Sequence, residues 1–211
     1  MKHVKRSTLA ATTLIFTGAL AFSGCGDNSG TGSMPGMNHG TPTNSSSSSS
    51  TAPAGDFNDA DATFATQMIP HHQQAVQMAT MAARKATTPA VKQLATAIKA
   101  AQDPEIKQLS GWLTSWGKPV PAVDHHAPHD EMPGMMTEDR MSDLGNADGA
   151  MFDRMWTQMM IEHHQGAVAM AKTEQTTGKN TEAIALAKKI ETDQNREIAT
   201  MQRLLGQLPV G

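Results

Sequence analysis

Two segments of this 211-residue chain, FATQMIPHHQQAVQMA at Phe64–Ala79 and WTQMMIEHHQGAVAMA at Trp156–Ala171, are near copies set 92 residues apart. The correspondence continues without a gap. Asp61 answers Asp153, while Leu94, Ile98, Gln102, Glu105, Ile106 and Leu109 answer Leu186, Ile190, Gln194, Glu197, Ile198 and Met201. A duplicated unit with one apolar face has to bury that face, and packing one copy on the other is the economical way to do so. Each copy also sets two adjacent histidines among methionines, so the feature that limits the architecture also raises metal handling as a function.

The local pattern is helical. At about 100° per residue, Asp61, Phe64, Met68, His71, His72, Ala75, Met78, Ala79 and Ala82 share one broad face of a helix spanning about 59–85. Pro70 cannot donate a helical hydrogen bond, which predicts a kink near 66–70 or a restart of the helix there. Thr87-Thr88-Pro89 reads as a turn with proline opening the next helix, about 90–116, inside which Pro104 predicts an irregularity. The second copy repeats the plan with helices over about 150–175 and 181–205, joined through Gly178-Lys179-Asn180. The chain has no tyrosine and few β-branched runs, which opposes a sheet protein. The expectation is all-α: a four-helix bundle built from two duplicated hairpins, 56–117 and 148–209, with a connection over 118–147.

The N-terminal part reads differently. Lys2, Lys5 and Arg6 precede an apolar stretch from Leu9 to Phe22, the pattern of a signal peptide over 1–24. Small residues then lead to Cys25, which reads as the lipidated first residue of a mature lipoprotein. Phe22 is bulkier than the usual residue at its position, so cleavage by an ordinary signal peptidase is the alternative. Residues 25–55, with the Ser45–Ser50 run, are too poor in apolar groups to order and form a tether before the domain at 56–209. This predicts a domain held by lipid at a bacterial membrane, facing the periplasm or the extracellular side.

Cys25 is the chain's one cysteine; with it used by lipid none remains, so disulfides and thiolate metal sites are excluded and any site must use His, Met and carboxylates. Removing the three leader cations takes the net charge from −3 to about −6, which opposes nucleic-acid binding. The inward polar residues are the useful anomaly. His71, His72, His163 and His164 straddle the buried stripes, flanked by Met68, Met78, Met160 and Met170. Imidazoles and thioethers together suit copper, with Asp61, Asp153, Glu105 and Glu197 as secondary ligands or orienting groups. The competing reading is a hydrogen-bonded polar layer that sets helix register, with methionine filling space.

Two Pro/Gly-rich stretches add soft donors: Met34, Met37 and His39 before the domain, and His125, His126, His129, Met132, Met135 and Met136 between the repeats. Methionine in such segments has no core to fill, which predicts an open, lower-affinity capture site for copper or silver. The histidine clusters also suit zinc or nickel.

The first-helix pattern of Asp61, Phe64, Met68-Ile69-Pro70-His71-His72, Ala75-Val76 and Met78-Ala79 recurs from Asp153 through Met170-Ala171. Each copy is followed by a Gln-x-x-Glu-Ile element, at Gln102 and Gln194. This pattern resembles the family of unknown function numbered 305 (DUF305), over essentially 56–208. The resemblance implies a ferritin-like helical fold in exported bacterial proteins, some of them associated with copper binding or tolerance. It implies no general catalytic activity. Di-iron chemistry is not expected, because no Glu-x-x-His motif occurs in the chain.

The leading expectation is an extracytoplasmic copper-binding lipoprotein that buffers, sequesters or transfers copper, using a metal ion and no organic cofactor. The alternative is a non-catalytic structural or interaction module at the cell surface with a buried histidine layer. A third class, an enzyme, has little behind it: the chain has no nucleophile elbow, phosphate loop or zinc-protease motif. No protein partner is legible.

Overall fold

In the computed structural model, residues 56–122 and 132–209 are described. Cys25, Met34, Met37, His39, His125, His126 and His129 lie outside them. The described residues form five helices and no strand: α1 Asp59–Lys85, α2 Pro89–Ser115, α3 Glu138–Asn146, α4 Gly149–Thr177 and α5 Thr181–Leu205. α1 pairs with α2 and α4 with α5, and the two hairpins meet along α1 and α4. This is the duplicated bundle that the repeat predicts, in the ferritin-like form that the family resemblance implies. Among the described residues, no helix is long and apolar enough to cross a membrane.

Helix ends follow from local chemistry. Asn58 caps α1, accepting from the Ala60 and Asp61 amides while Asp61 accepts from the Asn58 amide in return. Pro89 opens α2, and the Asn180 side chain caps α5. Of the two outcomes expected at Pro70, a restart is excluded, because α1 runs through it, and α2 likewise runs through Pro104; proline removes one hydrogen bond, and the packed faces of these long helices outweigh that loss. The connection also contains a helix that periodicity did not reveal. α3 is nine residues long and buries only Leu144, so it carries almost no apolar stripe. Its signal lies in its cap: Thr137 accepts from the Arg140 amide, and Glu138 and Asp139 fill the first turn.

The core is divided in two. One apolar cluster gathers Ala75, Met78, Val91, Ala95, Ile98, Trp156, Met160, Ile198 and Met201. The other gathers Phe64, Met68, Leu109, Leu113, Met170, Leu186 and Ile190. On the long helices the change from one cluster to the other falls at polar residues, Val168 of α4 excepted: His71 and His72 on α1, Gln102 and Glu105 on α2, His163 and His164 on α4, Gln194 and Glu197 on α5. A polar layer thus crosses the middle of the bundle. Fully buried side chains such as Ile98 and Met160 supply the stability on one side of it; truncating either to alanine costs about 2–5 kcal/mol.

Candidate metal centre

All four histidines of the layer are fully buried. His71 and His163, equivalent positions of the two copies, bring their rings together with centroids 3.8 Å apart and planes inclined by 40°. The pseudo-two-fold relation between the hairpins therefore runs between them. Their neighbours point to the second helix of their own hairpin. His72 Nε2 lies 2.9 Å from Glu105 Oε2, and His164 Nε2 lies 2.7 Å from Glu197 Oε2. His71 Nε2 lies 3.1 Å from the carbonyl of Pro133, on the connection between the repeats.

These partners decide where the protons sit. Burial, together with the other histidines, pushes His71 down to about 3, and burial also holds His163 well below the ordinary value and His164 below it. His71 and His163 are therefore neutral at physiological pH. Carboxylate and carbonyl oxygens only accept, so His71, His72 and His164 each donate Nε2–H. Among the described residues, the Nδ1 atoms of His71, His72 and His164, and both ring nitrogens of His163, have no hydrogen-bond partner. In a neutral imidazole with Nε2 protonated, Nδ1 carries a free lone pair. The buried rings of His71 and His163 thus present unshared lone pairs, which is unusual and costly unless something accepts them. An oxygen acceptor that fixes the far nitrogen is also how metal-ligating histidines are normally oriented.

The two copies differ around this plan. Burial pushes Glu105 up, but hydrogen bonds from His72 and Lys189 hold it below its ordinary value; Lys189 Nζ lies 2.8 Å from Oε1. The equivalent of Lys189 in the first copy is Ala97, and Glu197 pairs with His164 alone among the described residues. Gln102 and Gln194 are buried in the same layer with side-chain atoms unpartnered.

The methionines take a different place. Met68 and Met170 lie in one apolar cluster, Met78 and Met160 in the other, so thioethers flank the histidine layer from both sides. Among the described residues, no three His or carboxylate side chains converge on one point as in a closed metal site. The donor set fits an ion content with few soft or borderline donors better than one needing four fixed ligands.

Asp61 and Asp153 do not join the layer. Asp153 accepts from the Thr87 amide at 3.1 Å, the Thr87 hydroxyl at 2.8 Å and the Thr88 amide at 2.8 Å, all on the α1–α2 turn. Asp61 accepts from the Lys179 and Asn180 amides, the matching positions of the α4–α5 turn. Each aspartate thus fastens the turn of the other hairpin, where donors outnumber acceptors and a carboxylate is the natural partner. Of the loop donors, Met132 and Met135 are half-buried, while Met136 is buried in the core and is no solvent-facing capture residue.

Sequence reasoning missed Pro133, Gln74, Gly166, Lys189 and Glu174. Gln74, Gly166 and Glu174 were findable as places where the copies disagree: Gln74 against Gly166, and Ala82 against Glu174.

Comparison with known proteins fits this geometry. The family described as Domain of unknown function (DUF305) matches over residues 61–205. The chain belongs to the DUF305 family. A DUF305 protein from Streptomyces coelicolor, described as secreted, is 35% identical, with a TM-score of 0.64 over 70% of this chain and 93% of its own. A DUF305 fragment from Deinococcus radiodurans is 31% identical, with a TM-score of 0.65 over 72% of this chain and 98% of its own. CopM in the Cu(II)-bound form is 36% identical, with a TM-score of 0.62 over 70% of this chain and 96% of its own. No curated protein matches this DUF305 chain.

Proposed function

We propose that this protein is an extracytoplasmic copper-binding protein that buffers, sequesters or passes on copper by ligand exchange, with no bond-making step on an organic substrate. The observation that carries the reading is the set of unpartnered nitrogens on His71, His72, His163 and His164, three of whose rings have Nε2 held by an oxygen acceptor. Met68, Met78, Met160 and Met170 supply thioether donors on either side of the layer, which favours Cu(I). Glu105 and Glu197 orient the imidazoles and strengthen them as donors. CopM, a relative of this chain, has structures with Cu(II), Cu(I) and silver bound, which supports the assignment. Export follows from the leader pattern, and lipid attachment at Cys25 would hold the domain at the membrane. Met132 and Met135, with the donors outside the described residues (Met34, Met37, His39, His125, His126 and His129), form the lower-affinity capture site.

The second reading is a structural or interaction module whose histidine layer fixes bundle register. It is favoured by the close, tilted contact of His71 with His163 and by the lack of a converged ligand set among the described residues. Titration with Cu(I) against a chromogenic chelator, on the mature chain and on a variant with all four histidines changed to glutamine, separates the two. The copper reading expects tight binding that drops at least a hundredfold in the variant. Equal affinity in two folded proteins would establish the structural reading instead.

A further inference from the structure

The sequence Met132-Pro133-Gly134-Met135 closes a tight turn, with the Met135 amide donating to the Met132 carbonyl at 3.2 Å and Gly134 at φ +78°. Proline followed by a glycine of positive φ is the pattern of a type II turn. This turn lies over the histidine layer, because the Pro133 carbonyl accepts from His71. Two residues hold it there. Gln74 Nε2 donates to the Met136 carbonyl at 2.8 Å while the Met136 amide donates to Gln74 Oε1 at 2.8 Å, a two-bond latch between amides. On the facing helix the turn rests on Gly166, where a Cβ would come within 1.8 Å of the Pro133 oxygen. Gly134 is equally confined, since a Cβ there would meet the Glu162 carbonyl oxygen at 2.7 Å.

Gln74 and Gly166 are the same position in the two copies. The histidines, Gln102 with Gln194 and Glu105 with Glu197 all agree between the copies. The position under the turn does not: one copy has a side chain that grips the turn, and the other has none, which lets the turn in. Glu162, which replaces Pro70, pairs with Arg140 of α3 at 2.8 Å and ties down the chain just beyond the turn. The duplication has diverged where the connection crosses the layer.

We propose that Met132–Met136 is a displaceable cover over the histidine layer, positioned by Gln74 and seated on Gly166, and that its release opens the layer to ions from outside. Elsewhere the four histidines, all fully buried, are packed among long helices whose displacement would break the core. The turn is held by the latch, one bond to His71 and the buried Met136 side chain, while Pro133 itself is exposed. Gln74 is a positioning residue: it sets the direction in which the chain leaves Met136 and so lays Pro133 on Gly166. The part concerning ions rests on the copper reading above; the cover itself does not.

The test uses the metal-free chain and an imidazole reagent, diethyl pyrocarbonate, followed residue by residue by mass spectrometry. Gln74→Ala removes the latch and Gly166→Ala fills the seat, two unrelated changes with one expected result. Modification of His71 and His163 should be about tenfold faster in both, the effect of losing one or two net hydrogen bonds, and unchanged in the exposed control Gln77→Ala. Wild-type rates in both folded variants would overturn the cover. In the wild-type chain the Met136 amide should exchange hydrogen well before the core amides of α1 and α4. Exchange only by global unfolding would overturn it too, without any variant. With Cu(I), both variants should bind and release the ion about tenfold faster at an unchanged Kd. Faster histidine modification in a chain that binds no copper would remove the copper reading and leave the cover standing.

Discussion

Glu174 is buried against Asp61, and among the described residues no donor reaches either of its carboxyl oxygens. Asp61 takes backbone amides from Asn58, Lys179 and Asn180, which hold it below its ordinary value despite its burial. Glu174 takes none. Burial and the neighbouring Asp61 carboxylate push it up from 4.5 to about 8. As an acid it can donate its proton to Asp61; as a carboxylate it would face a like charge without solvent. The space it fills is the reason for Gly178, where a Cβ would sit 2.3 Å from Glu174 Oε1.

The sign of the pH effect follows. The folded chain keeps the Glu174 proton between pH 4.5 and about 8 while the unfolded chain has lost it. The contribution is complete below pH 4.5 and is lost as pH rises through about 8. Asp61, shifted down, acts only in acid. Glu174→Gln keeps the shape and the donor without titrating. Its stability relative to wild type should rise from about zero at pH 5 to on the order of 2 kcal/mol at pH 9, roughly 4–8 °C in melting temperature. Parallel stability curves for the two proteins across pH 5–9 would refute the pairing.

Asp153 has no such neighbour, since its counterpart of Glu174 is Ala82. Its carboxylate serves the Thr87 amide and hydroxyl and the Thr88 amide. Asp153→Ala should cost about 2–4 kcal/mol by removing three hydrogen bonds to one carboxylate at once. Asp61→Ala should cost less at pH 9 than at pH 6, because it also relieves Glu174. Chemical denaturation of both variants at the two pH values checks this; equal pH dependence in both would contradict it.

The repeat made the two hairpins legible because apolar periodicity over a long helix is a redundant signal: losing Pro70 or Pro104 to a non-helical reading still leaves many positions in phase. The histidine layer was legible as a set of inward polar residues, since His71 and His72 interrupt a stripe of Met and Ala. What was not legible depends on contacts between elements. Asp61 and His72 share a helix face, yet Asp61 lies three turns away, where the opposite hairpin's turn arrives. Met136 looked like a solvent residue because its neighbours are Pro and Gly, but the connection folds back and buries it. α3 was missed because nine residues with one buried leucine carry too little periodicity to register. Disagreements between the copies, at Gln74/Gly166 and Ala82/Glu174, were in plain view and marked the places where the two-fold relation breaks.

Carboxylates stand behind two of the four histidines. His72 and His164 each donate Nε2–H to a glutamate, which leaves Nδ1 as the only donor nitrogen. Glu105 divides its charge between His72 and Lys189, whereas Glu197 has only His164 among the described residues. Replacing either by glutamine removes the charge that polarises the ring, and a glutamine amide can turn its NH2 towards Nε2 and select the other tautomer. Loss of such an orienting acceptor typically costs 10–100-fold in metal affinity. Glu197→Gln should therefore weaken Cu(I) binding by about a hundredfold and Glu105→Gln by about tenfold, with stoichiometry kept in both. Competition titration measures this directly. An unchanged affinity in Glu197→Gln, with the bundle folded, would mean that the carboxylate holds His164 for packing alone and that copper does not use its Nδ1.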